Sequence, residues 1–155
     1  MKMENRTTPE NIEKLQEGEI FVFGSNEGGK HGAGAAKTAL TWGAKWGQAQ
    51  GLQGRTYGIP TKDSSIRRTL SVNEIKPYVD NFIQFAKDHP EMTFLVTEIG
   101  CGLAGMKPKQ IAPLFESAIE IPNIHLPARF WHKLKKEDVQ VHTKREGSGK
   151  SQELY

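Results

Sequence analysis

Apolar residues fall in short runs separated by stretches rich in glycine and polar side chains. The run Ile20-Phe21-Val22-Phe23, continued by "GSN", predicts a buried strand over residues 20–26. The segment "AGAAKTALTWGAKWG" from Ala33 predicts a helix of small residues that Gly47 stops. "GRTYGIPTK" predicts a second short strand, with Pro60 near its end, where a ladder N–H can be spared. In "SVNEIKPYVDNFIQFAKDHP" the residues Ile75, Val79, Phe82, Ile83 and Ala86 recur at helical spacing. Ser71 stands as its N-cap, and Glu74 three positions later completes a capping box. "MTFLVTEIG", "KPKQIAPLFESAIE" and "NIHLP" predict a third strand, a third helix and a fourth short strand. This β-α-β-α-β-α-β order implies an α/β fold with a mainly parallel sheet, helices on both faces and right-handed crossovers. No internal repeat is visible, and Phe130 and Trp131 in "ARFWHKL" remain open between closing the core and covering one side of a cleft.

Composition narrows the class. A chain of 155 residues suits one domain with one ordinary core, so residues 1–135 are expected to form it. The longest apolar runs, such as Phe94 to Val96, fall far short of the roughly 20 residues that a bilayer-spanning helix needs, so no membrane partner is expected. The opening "MKMENRTTPENIEKLQEGE" has no apolar stretch of the signal-peptide kind, which makes a cytoplasmic location the expectation. A single cysteine, Cys101, excludes an internal disulfide and supplies no CxxC spacing, so neither a metal nor another cofactor is expected. The formal charge of +3 comes partly from "KLKKEDVQVHTKREGSGKSQELY". Its polar composition offers little apolar surface to offset ordering entropy, so residues 136–155 are expected to be a loose basic tail. Such a tail is either merely solvated or a contact for nucleic acid.

A parallel sheet places ligands at the carboxyl ends of its strands, where loops and helix N-termini converge. Three unusual segments fall there: "GSNEGGKHGAGAA", "IPTKDSS" and "EIGCGLAGM". Glycines in the first and third allow sharp turns and close approach of backbone N–H groups to an anion, and a diphosphate suits two such loops facing one cleft. The same glycines can equally serve tight turns and close helix-to-sheet packing. No GxxxxGK[ST] is present, and "GAGAAK" lacks the last glycine of GxGxxG.

Taken together, "HGAGAA", "YGIPTK" and "TEIGCGLAGM" resemble the macrodomain family, modules that bind or process ADP-ribose. The resemblance covers roughly residues 18–127 and is nearest to the branch of terminal ADP-ribose protein glycohydrolase and its DNA-directed relatives. It implies a three-layer α/β/α fold and ADP-ribose, or an ADP-ribosylated macromolecule, as partner. By that resemblance Gly32, Ala33, Gly34 and Ala35 wrap the distal ribose and one phosphate. Gly100, Cys101, Gly102, Leu103 and Ala104 cradle the diphosphate, Ser25 and Asn26 bond ribose hydroxyls, and Lys62 attacks the anomeric carbon. Ala104 stands where that branch carries an acidic residue, and no acidic adenine anchor is evident, although Glu17 and Glu19 lie near the first strand.

The residues themselves leave roles open. A free lysine has a pKa near 10.4, so only about 1 in 2,500 is neutral at pH 7. Nucleophilic use of Lys62 needs burial or a neighbouring cation such as Arg55, Lys37 or His31. Otherwise Lys62 is a point charge for a phosphate, or faces water. Glu98 and Asp63 are the nearest carboxylates in sequence for acid or base work. His31 is either a phosphate contact or a packed histidine, and Cys101 either a reactive thiol or a small half-buried residue. Trp42 and Trp46 suit packing or base stacking. Three functions compete: an ADP-ribosyl glycohydrolase, a reader of ADP-ribose or a related nucleotide, and a nucleic-acid-associated phosphate-binding protein.

Overall fold

The structure is a computed structural model that describes the backbone of residues 3–143 and the side chains of residues 5–135. Five strands form one mixed sheet: β1 (Glu19–Asn26), β2 (Gly51–Gln53), β3 (Thr56–Lys62), β4 (Thr93–Val96) and β5 (Ile124–His125). Their spatial order is β2-β3-β1-β4-β5. β1 runs parallel to both β3 and β4, and β4 runs parallel to β5. The helices are α1 (Gly34–Ala39), α2 (Val72–Lys87), α3 (Pro108–Ile111) and α4 (Ala128–Thr143).

Alternation along β1 sends its side chains to two separate cores. Phe21 and Phe23 pack with Ala36, Ala39 and Ala44 on one side. Ile20 and Val22 pack on the other with the buried stripe of α2 (Ile75, Val79, Phe82, Ile83 and Ala86) and with Phe130, Trp131 and Leu134 of α4. Each such large apolar side chain contributes about 1.5–3 kcal/mol on burial. The capping box of α2 forms as its spacing predicts: Ser71 Oγ accepts from the Glu74 N–H at 3.2 Å, and Glu74 Oε1 accepts from the Ser71 N–H at 2.8 Å.

The sequence-based outline departs from this structure at four places. The helix expected from Ala33 to Gly47 ends much earlier, in a 3-10 turn over Leu40–Trp42 closed by Gly43 at φ 106°. There the chain crosses the β2–β3 hairpin, and a Cβ on Gly43 would lie 2.8 Å from the Gly54 Cα. β2 itself was not anticipated, and it pairs antiparallel with β3, so the sheet is mixed. The third helix is α-helical over only Pro108–Ile111 and continues as a 3-10 segment, Ala112–Glu120. Pro113, lacking an N–H, cannot continue an α-helical ladder. Finally, "ARFWHKL" opens α4, with Phe130, Trp131 and Leu134 turned into the core. The boundary expected at residue 135 falls inside α4, and residues 144–155, the remainder of the expected tail, lie outside the described residues. Among the described residues, no helix is long and apolar enough to cross a membrane.

Candidate functional site

The carboxyl ends of β1, β3 and β4 open into one cleft of about 550 Å³. From β1 come Gly24, Ser25 and Asn26, and from the following loop Lys30 and Gly32–Ala35. β3 contributes Thr61 and Lys62, and the segment after β4 contributes Thr97–Gly100 and Gly102–Ala104. The three loops singled out by sequence therefore meet.

Each loop is held by local bonds. The Asn26 carboxamide closes the loop 26–30 on itself: its Nδ2 donates to the Lys30 carbonyl at 2.8 Å and its Oδ1 accepts from the Lys30 N–H at 2.9 Å. The Ser25 hydroxyl donates to the Ala49 carbonyl. Both side chains, expected to face ribose hydroxyls, thus have structural partners, and both residues are buried. Gly29, at φ 68°, permits the loop to touch the segment 46–48: the Gly47 N–H donates to its carbonyl at 2.8 Å, and a Cβ here would stand 2.4 Å from the Gly47 carbonyl carbon.

The loop after β4 turns at Gly100 and Gly105, both in the left-handed region. The Met106 N–H donates to the Gly100 carbonyl at 2.8 Å, the Gly105 N–H to the Gly102 carbonyl at 3.0 Å, and the Thr69 hydroxyl to the Ala104 carbonyl at 2.8 Å. Among the described residues, the N–H groups of Gly102, Leu103 and Ala104 have no protein acceptor. The helices behind the loops are short, six residues in α1 and four in α3, so the polar groups the cleft presents are loop N–H groups and lysines rather than strong helix dipoles.

Lys62 lies half-buried at the end of β3, opposite Asn26 across a bulge in the β1–β3 register. Its carbonyl accepts from the Glu27 N–H at 2.9 Å, while its ammonium has no hydrogen-bond or ion-pair partner among the described residues. The cations proposed to act on Lys62 are elsewhere. Arg55 sits before the other end of β3 and donates to the Gln16 carbonyl at 2.6 Å, and Lys37 lies on α1 outside the cleft lining. Lys30, exposed in "GGKHG", is the other lysine of the cleft. Sequence reading passed over it, although a cation between glycines of a ligand loop was a usable signal.

Glu98 is the carboxylate of the cleft among the described residues, and Arg129 of α4 grips it, with Nε donating to Oε2 at 2.8 Å. That bond and the guanidinium charge hold the Glu98 carboxyl below its usual pKa, against a smaller opposing effect of burial, so Glu98 is ionised at neutral pH. Asp63 does not line the cleft. It ties the turn after β3, where Oδ1 accepts from the Ser65 hydroxyl at 2.9 Å and from the Arg67 and Arg68 N–H groups. Those bonds lower its pKa, the Ser65 hydroxyl foremost. Within this turn Ile66 adopts φ 66°, a left-handed conformation unusual for a β-branched residue, and lines the cleft, as does the exposed Leu103.

Two residues expected at the ligand lie behind the lining. His31 is fully buried, with Nε2 at 3.2 Å from Gln53 Oε1 of β2 and its ring edge-on to Phe23. Cys101 packs half-buried against the α2 core, and burial, followed by the Glu98 charge, pushes its thiol up to about 11, which makes it a poor nucleophile at neutral pH. Trp42 packs on Phe21, whereas Trp46 is 64% exposed beside Gly32.

A second cleft of about 1010 Å³ shares Ala35, Thr97 and Glu98 with the first. Thr8, Glu10, Asn11 and Phe21 wall it, and the buried Thr8 hydroxyl has no partner among the described residues. Glu19, weighed as an adenine anchor, lies instead at the start of β1, where its Oε1 accepts from the Gln16 N–H. The chain matches no family model, no curated protein and no solved structure.

Proposed function

We propose that the cleft binds ADP-ribose or a closely related nucleoside diphosphate, and that Lys62 removes ADP-ribose from a modified macromolecule. One observation carries the reading: three strand-end loops share one cleft that offers, among the described residues, unpaired backbone N–H groups and two lysines whose ammonium groups have no partner. A bound diphosphate would supply the missing acceptors, with Gly32–Ala35 and Gly102–Ala104 as the backbone cradle and Lys30 as counter-charge. The neighbouring cleft is where the base fits, against Phe21 and the unpartnered hydroxyl of Thr8. The proposal includes a macrodomain-like three-layer arrangement, supported by the separate cores on the two sides of β1.

In the hydrolytic step the Lys62 amine attacks the anomeric carbon of the distal ribose as the bond to the macromolecule breaks. Glu98 takes the ammonium proton and returns it to the departing group, and water then releases the sugar from Lys62. Glu98 takes this role because Ala104 brings no acid to the loop. A reader without turnover is the second reading, favoured by that same Ala104.

Calorimetric titration with ADP-ribose, ADP and AMP tests the ligand. Saturable micromolar binding that prefers ADP-ribose is expected, and absence of heat at millimolar ligand rejects the proposal. Lys62→Ala then separates the two readings: a hydrolase loses its rate and keeps affinity within a few-fold, while a reader has no rate to lose.

A further inference from the structure

Beside α4 runs an open groove of about 810 Å³, lined by Lys107, Lys109, Arg129, His132 and Lys133. Five of its seven lining residues are basic and none is acidic. The pattern of α4 produces one wall. Phe130, Trp131 and Leu134 are buried, so Arg129 and, one helical turn on, His132 and Lys133 are left to the groove. Lys107 and Lys109 flank Pro108 at the start of α3, which packs on α4.

Arg129 is neutralised by Glu98, but Lys107, Lys109 and Lys133 form no ion pair among the described residues. Three unscreened ammonium groups along one groove repel one another, and an anionic partner relieves that repulsion. The cations are strung along two elements rather than converging on a point, which suits an extended polyanion more than an isolated phosphate. The exposed imidazole ring of His132 in the same groove offers a face on which a base can stack, a feature an acidic peptide would not use. Arg129 also walls the second cleft and grips Glu98 of the first, so a strand in the groove passes the mouth of the candidate site.

We infer that the α3/α4 groove is an interface for single-stranded nucleic acid, held through its phosphodiester backbone. This assigns the contact to the folded domain rather than to the basic segment beyond it. It stands apart from the ligand proposed for the cleft, because unmodified oligonucleotide reads the groove and ADP-ribose calorimetry reads the cleft.

The test is fluorescence anisotropy of a labelled oligothymidylate of about 12 nucleotides with the full chain, across a salt series. Each backbone contact adds about 0.7 to the slope of log affinity against log salt for a single strand. The triple variant Lys107→Gln, Lys109→Gln, Lys133→Gln is expected to bind at least tenfold more weakly at low salt, with a slope reduced by about 2. A full-length Lys144→Gln, Arg145→Gln variant is expected to keep the native slope. An unchanged slope in the triple variant overturns the inference. So does loss confined to the Lys144/Arg145 variant, absence of oligonucleotide binding at low salt, or equally tight binding of polyglutamate. Unaltered circular dichroism of the triple variant shows that it has folded.

Discussion

Arg6 and Lys62 are both cations drawn in from the surface, and the fold treats them in opposite ways. The Arg6 guanidinium is buried and donates five hydrogen bonds to the carbonyls of Ala118, Ile119, Ile121 and Ile124, at 2.8–3.1 Å. These carbonyls belong to the end of the 3-10 segment, the turn that follows and the first residue of β5, so one side chain ties three consecutive pieces of chain together. Trp131 closes the other side, its ring 5.0 Å from the guanidinium carbon and its Nε1 donating to the Arg6 carbonyl at 2.9 Å. Burial without a carboxylate lowers the Arg6 pKa, and dense hydrogen bonding compensates the lost hydration. Lys62 has no such partners among the described residues. One charge is wholly committed to joining the N-terminal segment to α4, and the other is left available at a cleft where, among the described residues, the N–H groups of Gly102, Leu103 and Ala104 are also unpaired. The contrast separates a residue that holds the fold from one the fold can do without.

The sharpest way to break this contrast is Arg6→Met. It removes all five of these hydrogen bonds, and a loss of at least about 3 kcal/mol in urea unfolding is expected. Arg6→Lys should recover only part of it, since one ammonium cannot reproduce the planar fork. Next comes Gly29→Ala, which forces a Cβ into the Gly47 backbone at a left-handed φ. A loss of about 2 kcal/mol is expected, together with weaker ADP-ribose binding in the same preparation, because the cleft loop rests on that contact. Glu98→Gln should change stability by less than about 1 kcal/mol, since Arg129 and Glu98 side chains are 63% and 34% exposed. The sign with pH follows from the lowered Glu98 pKa. The native advantage over Glu98→Gln is complete above the usual glutamate value and disappears as pH falls through the lowered one. Urea midpoints of both proteins at about pH 7 and about pH 3 should therefore converge at the acid end. Smallest of all is Lys62→Met, expected to shift stability by less than about 0.5 kcal/mol while altering ligand affinity or turnover. A loss as large as that of Arg6→Met would show that Lys62 holds the fold instead.

The cleft was legible in sequence to the extent that it is local. Glycines, Thr61 and Lys62 at the ends of β1, β3 and β4 are marked by the change from apolar runs to small residues, and parallel topology places such ends together. Roles that depend on a distant partner were not legible. His31 looked like a phosphate contact because it precedes "GAG", yet it meets Gln53 on a hairpin strand whose signal was only "GLQGR". Asp63 looked available as an acid because it follows Lys62, but its own turn claims it. Ser25 and Asn26 likewise had side chains suited to a ligand and found backbone groups nearby.

By itself the sequence determined the strands β1, β3 and β4, the cap and buried stripe of α2, and the glycine loops at the strand ends. Each of these rests on periodicity or on the conformational freedom of a few adjacent residues, which neighbours in the chain carry with them. Tertiary structure alone decided the early end of α1 at the Gly43–Gly54 crossing, the antiparallel β2, the Arg129 grip on Glu98 and the Arg6 junction with carbonyls 112–118 positions away. Those features depend on which groups lacking a local partner come within about 3 Å of one another after the chain has folded, and no local pattern encodes that distance.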